Sequence, residues 1–257
     1  MDLTSRVALA DGAFHEDPLA CALFMGRYIG AEGGNASLDV GAGGVAGRRA
    51  ALARMRLQAG DAVFMEQVHG GRVARVGRAD RGRGATGRAS AIPGVDGLVT
   101  TDLGVALVVL AADCVPLLLL DPGRGIGAAH AGRRGVYAGI VAATVTALTE
   151  ATGSAPSRLQ ALIGPAIGGC CYELPAGVAA EVVRSVPAAA AVTRWGTPSV
   201  DLACAVASQL GTCGVQHVTH TRECTRCAPD AWFSHRATAD GAPEGRNAAV
   251  IVRRAGM

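Results

Sequence analysis

The chain has 257 residues, half of them hydrophobic, and a formal net charge of +3. That length and hydrophobicity support a sizeable core and exclude a disordered chain, while the mild charge excess does not by itself imply a nucleic-acid partner. All 24 basic residues are arginine; without lysine, pyridoxal enzymes, Schiff-base aldolases and Walker-type phosphate loops are excluded, because each needs that side chain.

The opening run MDLTSRVALADGAF carries Asp2 and no long apolar stretch, so no signal peptide is expected. Apolar runs predict strands at 6–10, 62–68, 72–76, 97–101, 105–111, 116–120, 126–130, 159–164, 216–221 and 247–252. Helical spacing predicts helices at 46–58, 135–152, 176–186 and 201–210, the last behind a good N-cap, Asp201. Helices separate some strands and not others, which predicts an α/β (α+β) chain with a mixed sheet. Neither a repeat nor a linker interrupts it, so residues 1–257 read as one domain. The most apolar segment, 105–120, is broken by Asp113 and Pro116 and falls short of the roughly 20 residues of a membrane helix. A cytoplasmic protein with no membrane partner is therefore expected, its eight cysteines being free thiols or metal ligands.

Arg72, Arg75, Arg78, Arg81, Arg83 and Arg88 fall in one glycine-containing stretch. It reads as a flexible, solvated loop before it reads as a nucleic-acid contact.

The segment AADCVPLLLLDPGRGIGAAHAGRRG, from Ala111 to Gly135, places reactive side chains at the ends of apolar strands. PLLLL and IGAAH are joined by the strong turn residues DPGRG. An antiparallel hairpin with Leu120 opposite Ile126 sets His130 across from Pro116. Cys114 lies two residues further on, hence on the same face as Pro116. A thiolate and an imidazole then converge on one point, within reach of a shared ion. His69, in EQVHG, ends another apolar run and supplies a third ligand. One Cys and two His form a set used by catalytic zinc, with a fourth position left open. Copper is the competing metal. With only six histidines, of which His217 and His220 alone lie close together, a multi-copper cluster is implausible.

Other motifs are weaker. VGAGGVAG, from Val40 to Gly47, matches a dinucleotide fingerprint, but GNASLD before it is a poor strand and Asp61 precedes the next strand. Cys224 and Cys227, in CTRC, resemble half a zinc ribbon. Cys170 and Cys171 are adjacent rather than similarly spaced, so the sequence favours free thiols there. Arg133 and Arg134 follow His130 where a helix is expected to begin, a combination suited to an anion. Asn35, Gln67 and Asp96 flank apolar runs, and these residue types are more often caps and turn residues than ligands.

GNASLDVG, EQVHG, VDGLVTT, ADCVPLLLLD, AAHAGRRG, LIGPAIGGCCYEL, CTRCAPDAWFSHR and GRNAAVIV occur in the order seen in the YfiH-like laccase-domain family, and the chain resembles that family over nearly its whole length. These proteins were once called multicopper polyphenol oxidases. The resemblance implies a four-layer α-β-β-α sandwich also found in some cysteine hydrolases. It implies zinc-dependent purine nucleoside phosphorolysis, with adenosine deamination and methylthioadenosine phosphorolysis. By motif, the zinc ligands fall on His69, Cys114 and His130, the anion-binding arginine on Arg134, and further substrate-site residues on Asn35, Gln67 and Cys171. Asp113 is a candidate proton carrier, or equally a structural acid. Two positions depart from the pattern: Arg133 stands where tryptophan is usual, and Asp39 where histidine is common. The expected partners are a nucleoside and phosphate, with no nucleic acid, in a monomer or small homo-oligomer. The same Cys114 and His130 would also serve a metal-free cysteine hydrolase acting on an amide such as a cell-wall precursor, or a copper-dependent phenol oxidase.

Overall fold

The structure, a computed structural model, describes residues 20–27 and 33–254. The strand expected at 6–10, and His15, lie outside these residues. Two mixed sheets carry most of the described chain. The larger contains, in chain order, β3 (Val73–Arg75), β4 (Gly97–Thr100), β6 (Val115–Asp121), β7 (Gly125–Ala131), β8 (Gln160–Ile163) and β11 (His217–His220), with spatial order β11-β8-β6-β7-β4-β3. The smaller has the order β1-β12-β5-β2, from β1 (Ala20–Met25), β2 (Ala62–Phe64), β5 (Ala106–Ala111) and β12 (Asn247–Arg253). A separate pair joins β9 (Ala190–Val192) to β10 (Pro198–Val200).

Every residue of β6, β7 and β12 is buried. This is why they read as continuous apolar runs rather than as alternation: both sheet faces are covered. Leu117 and Leu119 of β6 enter a core with α3 (Ile140–Thr152) and α5 (Leu202–Thr212), through Val141, Val145 and Val206. Leu118 and Leu120 point the other way, to meet Leu107 and Val109 of β5 and Ile251 of β12 between the two sheets. The outer face of the smaller sheet, with Val108 and Val250, packs on Ala51 and Leu52 of α1 (Gly44–Arg54).

The β6–β7 hairpin has the expected register, with Leu120 opposite Ile126 and Pro116 opposite His130. Asp201 caps α5 by accepting a hydrogen bond from the Cys204 N–H at 2.9 Å. The helix expected at 135–152 is two helices, α2 (Arg133–Tyr137) and α3, because Gly139 turns the chain with φ of 81°. The helix expected to reach 58 ends at Arg54, and Arg56 follows with φ of 53°. α4 (Ala176–Ser185) matches its expected range within one residue. The arginine stretch is solvated as expected, with Arg72, Arg75, Arg78, Arg81 and Arg88 exposed, but it is not irregular throughout. It contains β3 and two short 3-10 turns, and its Arg81, Arg83 and Arg88 pair with Asp61, Asp80 and Asp39.

Candidate metal centre and its cavity

The apolar run expected as one strand over 62–68 pairs in the sheet only as far as Phe64. The chain then leaves, and Gln67 and His69 adopt left-handed backbone, with φ of 60° and 61°. The Gln67 side chain imitates one more rung of the sheet. Its Nε2 donates to the Leu110 carbonyl at 2.6 Å, and its Oε1 accepts from the Leu110 N–H at 2.8 Å. Asp113, on the turn before β6, has φ of 89°. Among the described residues five non-glycines have positive φ, and three of them, Gln67, His69 and Asp113, line one cavity. Such strain persists only where the surroundings over-determine it, and it concentrates at functional sites.

This geometry brings His69, Cys114 and His130 together. Their ligand atoms lie within 4.8 Å of one another, with Cys114 Sγ 3.9 Å from His69 Nε2. Zinc bonds of about 2.3 Å to sulfur and 2.0–2.1 Å to nitrogen would separate such atoms by about 3.6 Å, so only a small inward adjustment is needed. Gly132 is what lets them meet: a Cβ there would lie 2.9 Å from Cys114 Sγ and 3.0 Å from His69 Cδ2.

Asp96 organises the trio. Its Oδ1 accepts from the His69 N–H at 2.9 Å and lies 2.9 Å from His130 Nδ1. Its Oδ2 accepts from the N–H of Val68 at 3.1 Å and of Gly70 at 2.7 Å. Fixing Nδ1 in this way leaves His130 Nε2 as the nitrogen available to a metal. Burial works against charge on all three coupled groups. The bonds from His130 and the Gly70 and His69 amides nevertheless hold the Asp96 carboxyl below its ordinary value. The His130 charge and hydrogen bonds from both imidazoles draw the Cys114 thiol down to about 6. The Cys114 thiolate and Asp96 raise His130 to about 9. The sequence reading left Asp96 undecided, and an acid before a buried strand carries no local sign of this task.

The trio opens into a cavity of about 700 Å³. Arg133 and Arg134 line it as the first two residues of α2. Burial pushes the Tyr172 hydroxyl above its ordinary value, and the nearby Arg133 charge works against that rise. The exposed Arg134 guanidinium has no acceptor among the described residues. Both departures from the family pattern, Arg133 and Asp39, are in the lining, as are Tyr172, His235 and Arg236, to which the sequence reading gave no role.

Besides Gln67, three expected site residues are engaged elsewhere. Asn35 donates to the carbonyls of Val40 and Ala42 and accepts from the N–H of Ser37 and Arg246, which fills its hydrogen-bonding capacity. It thereby shapes the glycine loop, whose Ser37, Asp39 and Val40 reach the cavity while Asn35 does not. That loop follows irregular backbone rather than a strand. Asp113 accepts from Thr225 Oγ1 at 2.6 Å and from the Arg236 N–H at 2.7 Å, tying both ends of the connection after β11 to the turn that carries Cys114. Cys171 is fully buried outside the lining, beside Cys170, Cys224 and Cys227.

A family model described as multi-copper polyphenol oxidoreductase laccase matches residues 26–254. The chain belongs to this family. A purine nucleoside phosphorylase of Streptomyces griseus is 45% identical over 192 residues, which cover 74% of this chain and 75% of that protein. Purine nucleoside phosphorylase YlmD of Geobacillus stearothermophilus is 40% identical over 199 residues, covering 75% and 72%. The crystal structure of that organism's YlmD superposes with a TM-score of 0.85 at 35% identity over 94% of each chain. Bacillus licheniformis YfiH, described as a hypothetical protein, gives 0.81 at 29% identity over 91% of this chain and 93% of its own. Despite the copper in the family's description, no cluster of three or more potential ligands among the described residues contains more than two histidines. No helix among them is long and apolar enough to cross a membrane.

Proposed function

We propose that the protein is a zinc-dependent purine nucleoside phosphorylase. It would convert adenosine or inosine and phosphate to the purine base and ribose 1-phosphate, with adenosine deaminase and methylthioadenosine phosphorylase activity at the same site. The names of the relatives support the first activity. The observation that carries the reading is an uncommitted guanidinium, Arg134, in one cavity with a two-imidazole, one-thiolate trio. The donor set fits zinc: the ligands converge, Asp96 orients one of them, and a fourth position faces the cavity. When bound, zinc supplies Lewis acidity at the cavity wall.

The chain's own groups do the rest. Arg134 holds phosphate with its planar fork, and Arg133 adds charge beside it. Gln67 positions the His69 turn, and Asn35 acts through the loop it shapes. Asp113 fixes the Cys114 turn and the Arg236 loop. Cys171 acts through its neighbour Tyr172. We read the order of the cores, from α1 through the smaller and larger sheets to the remaining helices, as a four-layer α-β-β-α sandwich like that of some cysteine hydrolases. Residues 1–257 form one domain in this reading, and eight cysteines with no disulfide between them support a reducing cytoplasm.

One observation favours a second reading. Without metal, Cys114 near 6 and His130 near 9 form a thiolate–imidazolium pair, the nucleophile and base of a cysteine hydrolase. The deciding experiment incubates pure, metal-quantified protein with adenosine, with and without phosphate. Ribose 1-phosphate is expected only with phosphate, inosine without it, and both should vanish on chelation and return with zinc. Chelator-resistant activity with a covalent adduct at Cys114 would replace this proposal with the hydrolase, and copper-dependent phenol oxidation would replace it with the oxidase.

A further inference from the structure

We infer that Cys170, Cys171, Cys224 and Cys227 form a second metal site, a tetrathiolate that binds zinc. It is separate from the trio and does not rest on the purine reading. Two loops bring these residues together. β8 and β11 are parallel neighbours at the sheet edge, paired from Gln160–His217 to Ile163–His220. Their pairing continues beyond the strands. The Thr225 N–H donates to the Ala166 carbonyl at 3.0 Å, and the Ala166 N–H to the Glu223 carbonyl at 3.2 Å. Each loop then turns tightly. Cys171 and Tyr172 donate back to the Gly168 carbonyl, and Cys227 and Ala228 to the Cys224 carbonyl. Both turns point their sulfurs inward.

The four sulfurs lie within 4.8 Å of one another. Cys171 and Cys227 are 3.4 Å apart, Cys170 and Cys227 3.7 Å, and Cys170 and Cys171 3.8 Å. Zn–S bonds of about 2.3 Å in tetrahedral geometry require sulfurs about 3.8 Å apart. A four-iron cluster would spread its four thiolates much further, so the spacing favours a single ion. Four thiolates around a divalent ion leave excess negative charge, and the surroundings offset it. The Gly168 N–H donates to Cys224 Sγ at 3.2 Å, and the Arg194 guanidinium donates to Cys227 Sγ at 3.8 Å. Such outer bonds are how a metal site orients its ligands.

The site would cross-link two loops that shape the first cavity. Tyr172 and Ile167 line that cavity from one loop. Thr225, from the other, bonds Asp113 in the turn carrying Cys114. An ion here would hold the cavity wall without touching substrate.

Zinc content of protein purified under reducing conditions without added metal tests the inference. About two zinc ions per chain are expected in the wild type. His69→Ala should keep about one, and so should Cys224→Ser/Cys227→Ser. X-ray absorption on the zinc retained by His69→Ala should show sulfur ligands only. This measurement leaves the cysteine cluster intact, so it decides the matter even if the double variant does not fold. One zinc in the wild type, lost in His69→Ala, would overturn the inference while leaving the trio's metal in place. Loss only from the cysteine variant would keep the inference and remove the trio's zinc. A mass two hydrogens lower, mapping to a Cys171–Cys227 disulfide in protein lacking the second zinc, would also overturn it.

Discussion

Asp96→Asn tests the claim that one carboxylate organises the candidate centre. Asp96 is fully buried and takes four hydrogen bonds, two on each oxygen. Asparagine keeps one oxygen. If the amide nitrogen faces Val68 and Gly70, two backbone donors meet a donor. If it faces His69 and His130, the His69 donor is unpaired, and His130 is driven to the tautomer that protonates the ligating nitrogen. Each orphaned buried donor costs about 1–3 kcal/mol, so the metal-free protein should lose about 2–6 kcal/mol in the first orientation. Loss of a second-sphere carboxylate typically weakens metal binding by about 10–100-fold. The assay is chelator competition for zinc, alongside thermal unfolding of the metal-free protein. Zinc affinity within about threefold of wild type, with unchanged stability, would refute the role given to Asp96.

The other predictions concern single sites. Gly132→Ala fits the local backbone, with φ of −76°, but its Cβ would lie 2.9 Å from Cys114 Sγ. Zinc affinity should fall by about tenfold or more with little change in the stability of the metal-free chain, and unchanged affinity would show that the trio does not meet as described. Arg134→Lys keeps the charge and loses the fork, so the phosphate requirement should rise by about tenfold while inosine formation without phosphate changes much less. Equal losses in both reactions, with zinc intact, would remove the phosphate role. In metal-free protein, alkylation of Cys114 should show a midpoint near pH 6 and move upward in His130→Gln; a midpoint at an ordinary thiol value would refute the pairing. The Cys114 contribution to stability is complete above its ordinary 9.0 and lost as pH falls through about 6. The His130 contribution is complete below 6.5 and lost as pH rises through about 9. The two oppose each other, so stability should be nearly flat between these values, because folding there moves a proton from sulfur to imidazole without net uptake. Leu118→Ala, in the core between the sheets, should cost about 2–5 kcal/mol in denaturant unfolding. A loss below about 1 kcal/mol would contradict the two-sided burial of β6.

Much of this molecule was readable one residue at a time. Leu117 to Leu120 could be assigned to a buried strand because every residue in the run is apolar, and the structure covers that strand on both faces. DPGRG announced a hairpin, and the expected pairing of Leu120 with Ile126 and of Pro116 with His130 is the one the structure has, but the sequence left the length of the turn, and so the register, open. Asp201 announced α5 because capping is local. β1, β9 and β10 escaped the reading. The last two have only three residues each, too few for a period to show. Gly139 divided a helix whose apolar spacing runs through the break, a choice set by packing against the sheet.

By itself the sequence determined most of the apolar strands and helices, the hairpin and the chemical types gathered near it, because these depend on neighbours within a few residues. Only the tertiary structure decided what Asp96 and the cysteines meet. Asp96 reaches Val68, His69 and Gly70 across more than twenty residues, and its carboxylate is directed by the pairing of β4 with β7. Cys170 and Cys171 meet Cys224 and Cys227 because β8 and β11, more than fifty residues apart in the chain, lie side by side at the sheet edge. Both arrangements are long-range closures, and neither the spacing of the residues nor their type encodes which distant segment will close on them.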